Sequence, residues 1–460
     1  MLRYFCRLAA LVCLLPLRAA FAADGDLDTS FWTDGKVLLS SADSFTVEEV
    51  LAAPDGRLVV VGTHTGAGGD EWYWRAVSAT TAGSACNFFP PGGASRGRAL
   101  AARFDGAGRL VVAGSARYGS DRLAVARFTY PTCSLDTNFD GDGYYTLDLP
   151  GGSEELAALD VSAIGILTFG GYRHGATHND MVLLQLNDNG APITSFSSDG
   201  WLTLDVSGAE LDDGVVAVAV DAQNRVVAGG STHYGTNGDN SDFVVARFTA
   251  AGLLDTSFDG DGVARVGFDL GGGELVYDET FDMALDPATG AIVLAGYARA
   301  LSTFDLAIAR LTPQGQLDTG FSADGKVNNN FGFGYVRANA ILLDGLGRIT
   351  IGGTAEPFNG SGGADFFAAR YLPSGTLDSS FSGNGWTTVP FDVGPSSWED
   401  DTARAATFQA GRLALAGEVT RDASGNTANA LTRFDNALVF ADGFASASTR
   451  QWSSTTGGGP

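Results

Sequence analysis

Apolar and polar positions alternate in short runs along almost the whole chain, the period of two that marks half-buried β-strands. Residues 263–311 show the pattern: VARVGF, then TFDMALD, a PATG turn, AIVLAG, and finally DLAIARL. The turns PDG, DGAG, DGLG and QAG that join the central pairs have the residues hairpins require. No stretch beyond residue 22 has apolar residues at helical spacing.

These runs repeat. LDTSFWTDG ends at Gly35, CNFFPPGG at Gly93, LDTNFDGDG at Gly143, ITSFSSDG at Gly200, LDTSFDGDG at Gly262, LDTGFSADG at Gly325 and LDSSFSGNG at Gly385, so successive glycines lie 50 to 63 residues apart. After each comes a short strand, a variable loop, a hairpin and a fourth strand. No such sheet can bury both faces alone, and a ring of similar units solves that problem. The expected fold is therefore all-β, a seven-bladed β-propeller of four-stranded antiparallel blades over residues 24–440. The second copy has Ala85-Cys86 in place of Leu-Asp and a shortened first strand, which predicts an incomplete blade.

The motif L-D-x-x-F-x-x-x-G, followed by strand pairs ending in A-x-A-R, resembles the delta-60 repeat of bacterial secreted and surface proteins. The likeness runs from Leu27 to Phe440. It implies a propeller-like fold and export, and no activity, because that family is defined by its repeat.

The amino terminus reads MLRYFCR, then the apolar run Leu8 to Leu17, then Ala20-Phe21-Ala22, the order of a secretory signal over residues 1–22. Its apolar core is too short to span a bilayer. The whole chain carries a formal charge of -25, which becomes -28 once the signal's three arginines are gone. So acidic a surface repels nucleic acid and anionic lipid and leaves cations, basic partners and neutral sugars as ligands. The chain is thus expected to be exported and monomeric, without a membrane span. Cys86 and Cys133 remain in an oxidising compartment and are expected to pair. Their bridge would close a 47-residue span, worth roughly 4 kcal/mol in the chain-entropy view. Residues 441–460 form a tail whose FADGFASASTRQWSS resembles the D-G-F-E-S-G ending of many secreted bacterial proteins, with Ala445-Ser446-Ala447 in place of Glu-Ser-Gly.

An arginine recurs near the end of the fourth strand as Arg75, Arg127, Arg247, Arg310, Arg370 and Arg433. In four copies the next motif brings an aspartate eight or nine residues later: Asp136, Asp255, Asp318 and Asp378. Where Gln185 replaces the arginine, Ile193 replaces the aspartate. This pattern predicts an Arg-Asp pair that fastens each strand to the following turn. Ring closure would then bring Asp28 to Arg433. Arg75, followed by Cys86, breaks the rule.

Strand alternation places the motif turns on one face and the loops of variable length on the other. The variable face collects His64, His174, His178, His233, Tyr234, Trp398 and Asp400, a rim that suits a sugar or a cation but is equally explained as solvated loops. His174 to Asp180 offers two imidazoles and a carboxylate to zinc or nickel, without a third histidine nearby. Asp140-Gly-Asp142-Gly and Asp259-Gly-Asp261-Gly have carboxylates at alternate positions, as calcium loops begin, so calcium is the candidate cofactor. They lack the remaining EF-hand ligands, and turn chemistry accounts for the same residues. Gly93-Ala94-Ser95-Arg96-Gly97 spells a nucleophile elbow, but a strand follows where the elbow needs a helix. No catalytic set emerges. The leading expectation is a non-catalytic propeller that binds a glycan, peptide or envelope protein through its variable face. The competing readings are a hydrolase or lyase acting on polysaccharide and a purely structural repeat protein.

Overall fold

A computed structural model describes residues 24–435 except 40–44, 67, 91–92, 176, 209–210, 235–239, 271–275, 359–361, 392, 394–399 and 421–426. The signal segment 1–22, the tail 441–460 and Trp398 lie outside the described residues. The described chain is β-strand joined by turns, and none of its helices is long and apolar enough to cross a membrane.

β1 (Lys36–Leu39) pairs with the far end of the chain, in the sheet β1, β29 (Thr427–Phe434), β28 (Arg412–Thr420), β27 (Asp401–Gln409). The next sheet runs β2 (Phe45–Ala52), β3 (Leu58–Gly66), β4 (Gly69–Val77), β5 (Ala82–Phe88). It is followed by β6 (Gly97–Phe104), β7 (Leu110–Arg117), β8 (Asp121–Thr129) and β10 (Tyr144–Leu147), with the two-residue β9 (Ser134–Leu135) beside β8. Two further sheets are β11 (Ser153–Val161) to β14 (Trp201–Leu204) and β15 (Asp213–Val220) to β18 (Val263–Val266). The antiparallel sets β19 (Asp278–Leu285) to β22 (Lys326–Asn329) and β23 (Tyr335–Leu343) to β26 (Trp386–Val389) touch through one parallel pair, Phe304 with Tyr335.

The short strand after each motif closes the preceding sheet, so sequence repeat and sheet are out of step by one strand. The first strands neighbour one another in a cycle, β2, β6, β11, β15, β19, β23, β27 and back to β2. The core lies between adjacent sheets. Val293 and Ile308 of one pack on Ile341 and Ile351 of the next, and Ala405 and Leu431 of the last pack on Val47 and Val60 of the first.

Five of the motif turns share one construction, which the copies at Ile193 and Cys86 lack. Arg127, Arg247, Arg310, Arg370 and Arg433 each donate from Nε to Oδ2 of Asp136, Asp255, Asp318, Asp378 and Asp28, at 2.9, 2.9, 2.8, 2.8 and 2.7 Å. The aspartate amide donates back to the same arginine's carbonyl at 2.8 Å in every case. The motif phenylalanine lies under the guanidinium, 4.6 to 5.2 Å away, as Phe139, Phe258, Phe321, Phe381 and Phe31. A further amine of the same side chain reaches the next sheet: Arg127 to Asp188 O, Arg247 to Pro313 O and Arg310 to Pro373 O.

The segment around Cys86 departs from the sequence expectation. It forms a strand rather than a turn, and at seven residues β5 is longer than the four-residue outer strands elsewhere, so this sheet is complete. A tight Ser78–Thr81 turn returns the chain sooner, and Arg75 Nε donates to Gly83 O at 2.6 Å in place of an aspartate. Cys86 is bonded to Cys133 in the turn after β8, a covalent tie to the next sheet.

Each first strand carries one extra residue at a β-bulge: Glu48, Leu100, Ala157, Val216, Phe281, Asn339 and Arg404. The bulge forces the backbone against a glycine of the second strand. A Cβ on Gly296 would sit 1.8 Å from Glu279 O, and Gly114 and Gly353 are equally crowded by Arg98 O and Arg337 O. Gly296→Ala should therefore cost roughly 3 kcal/mol, the upper end of ordinary overpacking. Exposed Gly106, with nothing within 4 Å of its would-be Cβ, should accept alanine within about 0.5 kcal/mol. Urea denaturation of the two variants checks this, and equal stability would show that the bulge yields freely.

Candidate functional site

The bulge residues converge on the axis, where they line a central cavity of about 1480 Å³. Bulges turn an extra side chain of every first strand inward, so the cavity wall mixes charge and carbon according to what each copy supplies. Deep in it Arg103 Nη1 meets Glu49 Oε1 at 2.5 Å. Asp160 and Asp282 hold neighbouring sheets together by accepting from Val220 N at 2.7 Å and Ile341 N at 2.9 Å.

The cavity lining runs on to hairpin-turn residues such as Pro54, Asp105 and Ser162, and polar pairs lie on the side toward the variable-loop face. Arg98 Nη1 lies 2.9 Å from Glu155 Oε1, and Tyr172 Oη donates to Glu155 Oε2 at 2.5 Å. Arg404 Nε lies 3.0 Å from Glu418 Oε2. Glu279 accepts from Ser241 Oγ at 3.0 Å and faces His233 Nε2 at 3.5 Å. The bond to Glu279 raises the His233 pKa against the opposing effect of burial. Burial pushes Glu48 up to about 7, against the pull of Arg404.

An aromatic patch leads from Phe281 in the cavity wall toward the variable-loop face. Tyr297 lies 5.6 Å from Phe281, 5.1 Å from Phe304 and 5.9 Å from Tyr335, and Phe304 is 5.3 Å from Tyr335. Arg337 stacks over Phe281 at 5.0 Å, and Arg299 over Tyr277 and Phe304 at 5.8 and 5.9 Å. The sequence pattern does not by itself group these residues. Their signal was the i, i+2 pairing of Tyr297 with Arg299 and of Tyr335 with Arg337, which sets a ring and a cation on one face of each strand.

The residues singled out from sequence fall in several places. His64 Nδ1 lies 3.8 Å from Glu71 Oε2 and is buried. His174 Nδ1 meets Asn179 Oδ1 at 2.5 Å, and His178 Nε2 meets Asp180 Oδ1 at 3.2 Å, so each imidazole engages its own loop. Burial, helped by Asp242, pushes the Tyr234 phenol up to about 12. Asp400 Oδ1 accepts from Ala364 N at 3.1 Å. On the opposite face Asp142 and Asp261 accept from the amides of Tyr144 and Val263 at 2.9 and 2.8 Å. Asp140 and Asp259 take left-handed backbone angles, φ 50° and 48°, and donate their amides to Asn189 O and Gln314 O of the next turn. Among the described residues no three His, Cys, Asp or Glu side chains gather to hold a metal ion.

At several buried acids desolvation outweighs the hydrogen bonds and cations that act against it. Burial pushes Glu154 up to about 7 and Asp278 and Asp282 up to about 6. The motif aspartates go the other way. Burial raises Asp28, Asp136 and Asp378, but hydrogen bonds from Ser30, Asn138 and Ser380 and the paired arginines outweigh it and hold them below the usual range. A raised acid keeps its proton in the folded state after the unfolded chain has released it, so stability from this group is present at low pH and is lost as pH rises from about 4 through about 7. The depressed aspartates contribute above the ordinary carboxylate range and fail only in stronger acid. The melting temperature should therefore be higher at pH 5 than at pH 8, and a melting temperature that climbs across that window would contradict these assignments.

Comparison with known proteins yields a fold and little else. Residues 224–258, 288–321 and 347–381 match the family described as "Domain of unknown function (DUF5122) beta-propeller". No curated protein sequence matches the chain. Among solved structures, a protein of unknown function from Dyadobacter fermentans is 12% identical over 87% of this chain and 98% of its own, with a TM-score of 0.44. The polysaccharide lyase Uly1 is 10% identical over 91% and 94%, with a TM-score of 0.47. The extracellular domains 1-2 of Drosophila Semaphorin 1b are 9% identical over 90% and 88%, with a TM-score of 0.43. The four-stranded sheets and the family matches together define the class, a β-propeller.

Proposed function

We propose that this is an exported, seven-bladed β-propeller that works as a binding scaffold and takes its ligand, a glycan before a peptide or envelope protein, on the variable-loop face. The cyclic neighbourhood of the first strands and the pairing of β1 with β29 support the blade count. The signal-like amino terminus, the delta-60 resemblance and the Cys86–Cys133 bridge support export. One observation carries the choice of face. The motif face is occupied by its own arginine, aspartate and carbonyl bonds, whereas rings, arginines and carboxylates differing from sheet to sheet converge on the other.

A second reading has one observation in its favour: Glu48, raised to about 7 by burial, lines the cavity close enough to Arg404 and Arg98 to feel both charges, the condition of a carboxyl suited to proton transfer at neutral pH. Such a protein would be a polysaccharide hydrolase or lyase.

Both readings meet one experiment. The mature chain is incubated with peptidoglycan, pectin, alginate and xylan, and both retention and the appearance of new reducing ends or unsaturated products are measured. Retention on at least one polymer without cleavage, reduced at least tenfold by Tyr297→Ala and untouched by Gln316→Ala on the motif face, is the expected result. Cleavage abolished by Glu48→Gln would establish the enzyme instead. Retention lost with the motif-face variant, its fold intact, would overturn the assignment of the face.

A further inference from the structure

We propose that Phe281, Tyr297, Phe304 and Tyr335 with Arg299 and Arg337 form a subsite for a sugar that carries an anionic substituent, a uronate carboxylate or a sulfate ester. The proposal rests on the loop-face reading above and adds the ligand class that the face selects.

The rings form a contiguous half-buried platform, from Phe281 in the cavity wall outward to Phe304 and Tyr335. Such faces cover the C–H side of a pyranose while the edges of adjacent polar groups meet its hydroxyls. The charge on the platform is the decisive feature. The chain has 53 acidic residues against 28 basic ones, and its described arginines are almost all neutralised by a carboxylate within 4 Å. Only Arg75, Arg265, Arg299 and Arg337 among them are not. Arg75 and Arg265 donate to the carbonyls of Gly83 and Val206, on other parts of the molecule. The remaining two share this patch, stacked on its rings; the Arg337 side chain engages the Tyr335 phenol, a neutral partner, and its Nε is buried without a hydrogen bond.

The repeat itself shows what is missing. Arg98 and Arg337 occupy the same position, two residues before the bulge of their first strands. At that position the sheet following Arg98 supplies Glu155, which pairs with it at 2.9 Å. The sheet following Arg337 has Thr402 there. The arginine is retained and its internal anion is not, so the counter-charge is left for a ligand. A guanidinium held flat on a ring still offers its N–H edge to the paired oxygens of a carboxylate or sulfate. Glu279 and Glu356 act on the Tyr297 and Tyr335 phenols but pair with neither arginine, and at physiological ionic strength charges beyond about 8 Å are largely screened.

The test is calorimetric titration of the mature chain in 0.15 M salt with oligogalacturonate, which carries carboxylates, with carrageenan oligosaccharides, which carry sulfate esters, and with neutral xylo-oligosaccharides. At least one charged series should bind ten times tighter than the neutral one, and the difference between the two charged series identifies the group. Arg337→Gln and Arg299→Gln should each weaken that binding about tenfold, and Phe304→Ala should weaken charged and neutral sugars alike. Melting curves matching the parent's confirm that the variants are folded, and Arg337→Lys provides a second variant that keeps the charge. Neutral sugars binding as tightly as charged ones, charged binding indifferent to both glutamine variants, or no oligosaccharide binding at all would each overturn the proposal. The broader loop-face reading fails separately, when retention is lost with Gln316→Ala, its fold intact.

Discussion

The architecture depends on one repeated contact, an arginine at the end of a strand held between the aspartate of the following turn and the ring of that turn's phenylalanine. It satisfies the turn, fastens it to its own sheet and sends a second donor to the neighbouring sheet, so a single side chain fixes both the local fold and the angle between units. Arg127 and Arg370 are fully buried, and a buried guanidinium is tolerable only when its donors are met. A second arginine, from the central hairpin, often joins the same carboxylate: Arg109 on Asp136, Arg225 on Asp255, and Arg412 on Asp28. The recurrence of this construction in five of the copies explains why the motif face is so uniform. Its polar groups are spent on holding the ring.

The opposite face is free of that duty. Midway along each first strand the bulge sends one extra residue to the axis and the glycine facing it permits the kink, while the identity of the inward side chain is left open: glutamate, leucine, alanine, valine, phenylalanine, asparagine or arginine. One rigid scaffold thus presents a wall whose chemistry changes around the circle. Buried carboxylates at the starts of several first strands, such as Asp213 and Asp278, accept from amides of the loops that precede them and so position the variable face from below.

Much of this was legible in the sequence where a repeat supplied its own internal control. The joint loss of arginine and aspartate at Gln185 and Ile193 marked the partners, and Asp28 and Arg433, 405 residues apart, meet at 2.7 Å. Periodicity located the strands but not their sheets, since the short strand after each motif pairs backward, a choice made by hydrogen bonding that alternation does not encode. The Cys86 segment misled because it was aligned as a motif turn, whereas its alternating pattern continues as β5 and a disulfide takes over the link to the next sheet. The aromatic and arginine patch was hidden because its members come from separate strands of two adjacent sheets and become neighbours only when the ring forms.

The most direct test of the account is a double-mutant cycle across the ring closure, Arg433→Ala, Asp28→Ala and the double variant, followed by urea denaturation. If the contact closes the ring, each single change should cost about 3 kcal/mol or more, because it strands a buried partner, and the double should cost well under the sum. Additive costs near zero would show that the ring is held by packing between sheets alone and that the recurring arginine is not its fastening.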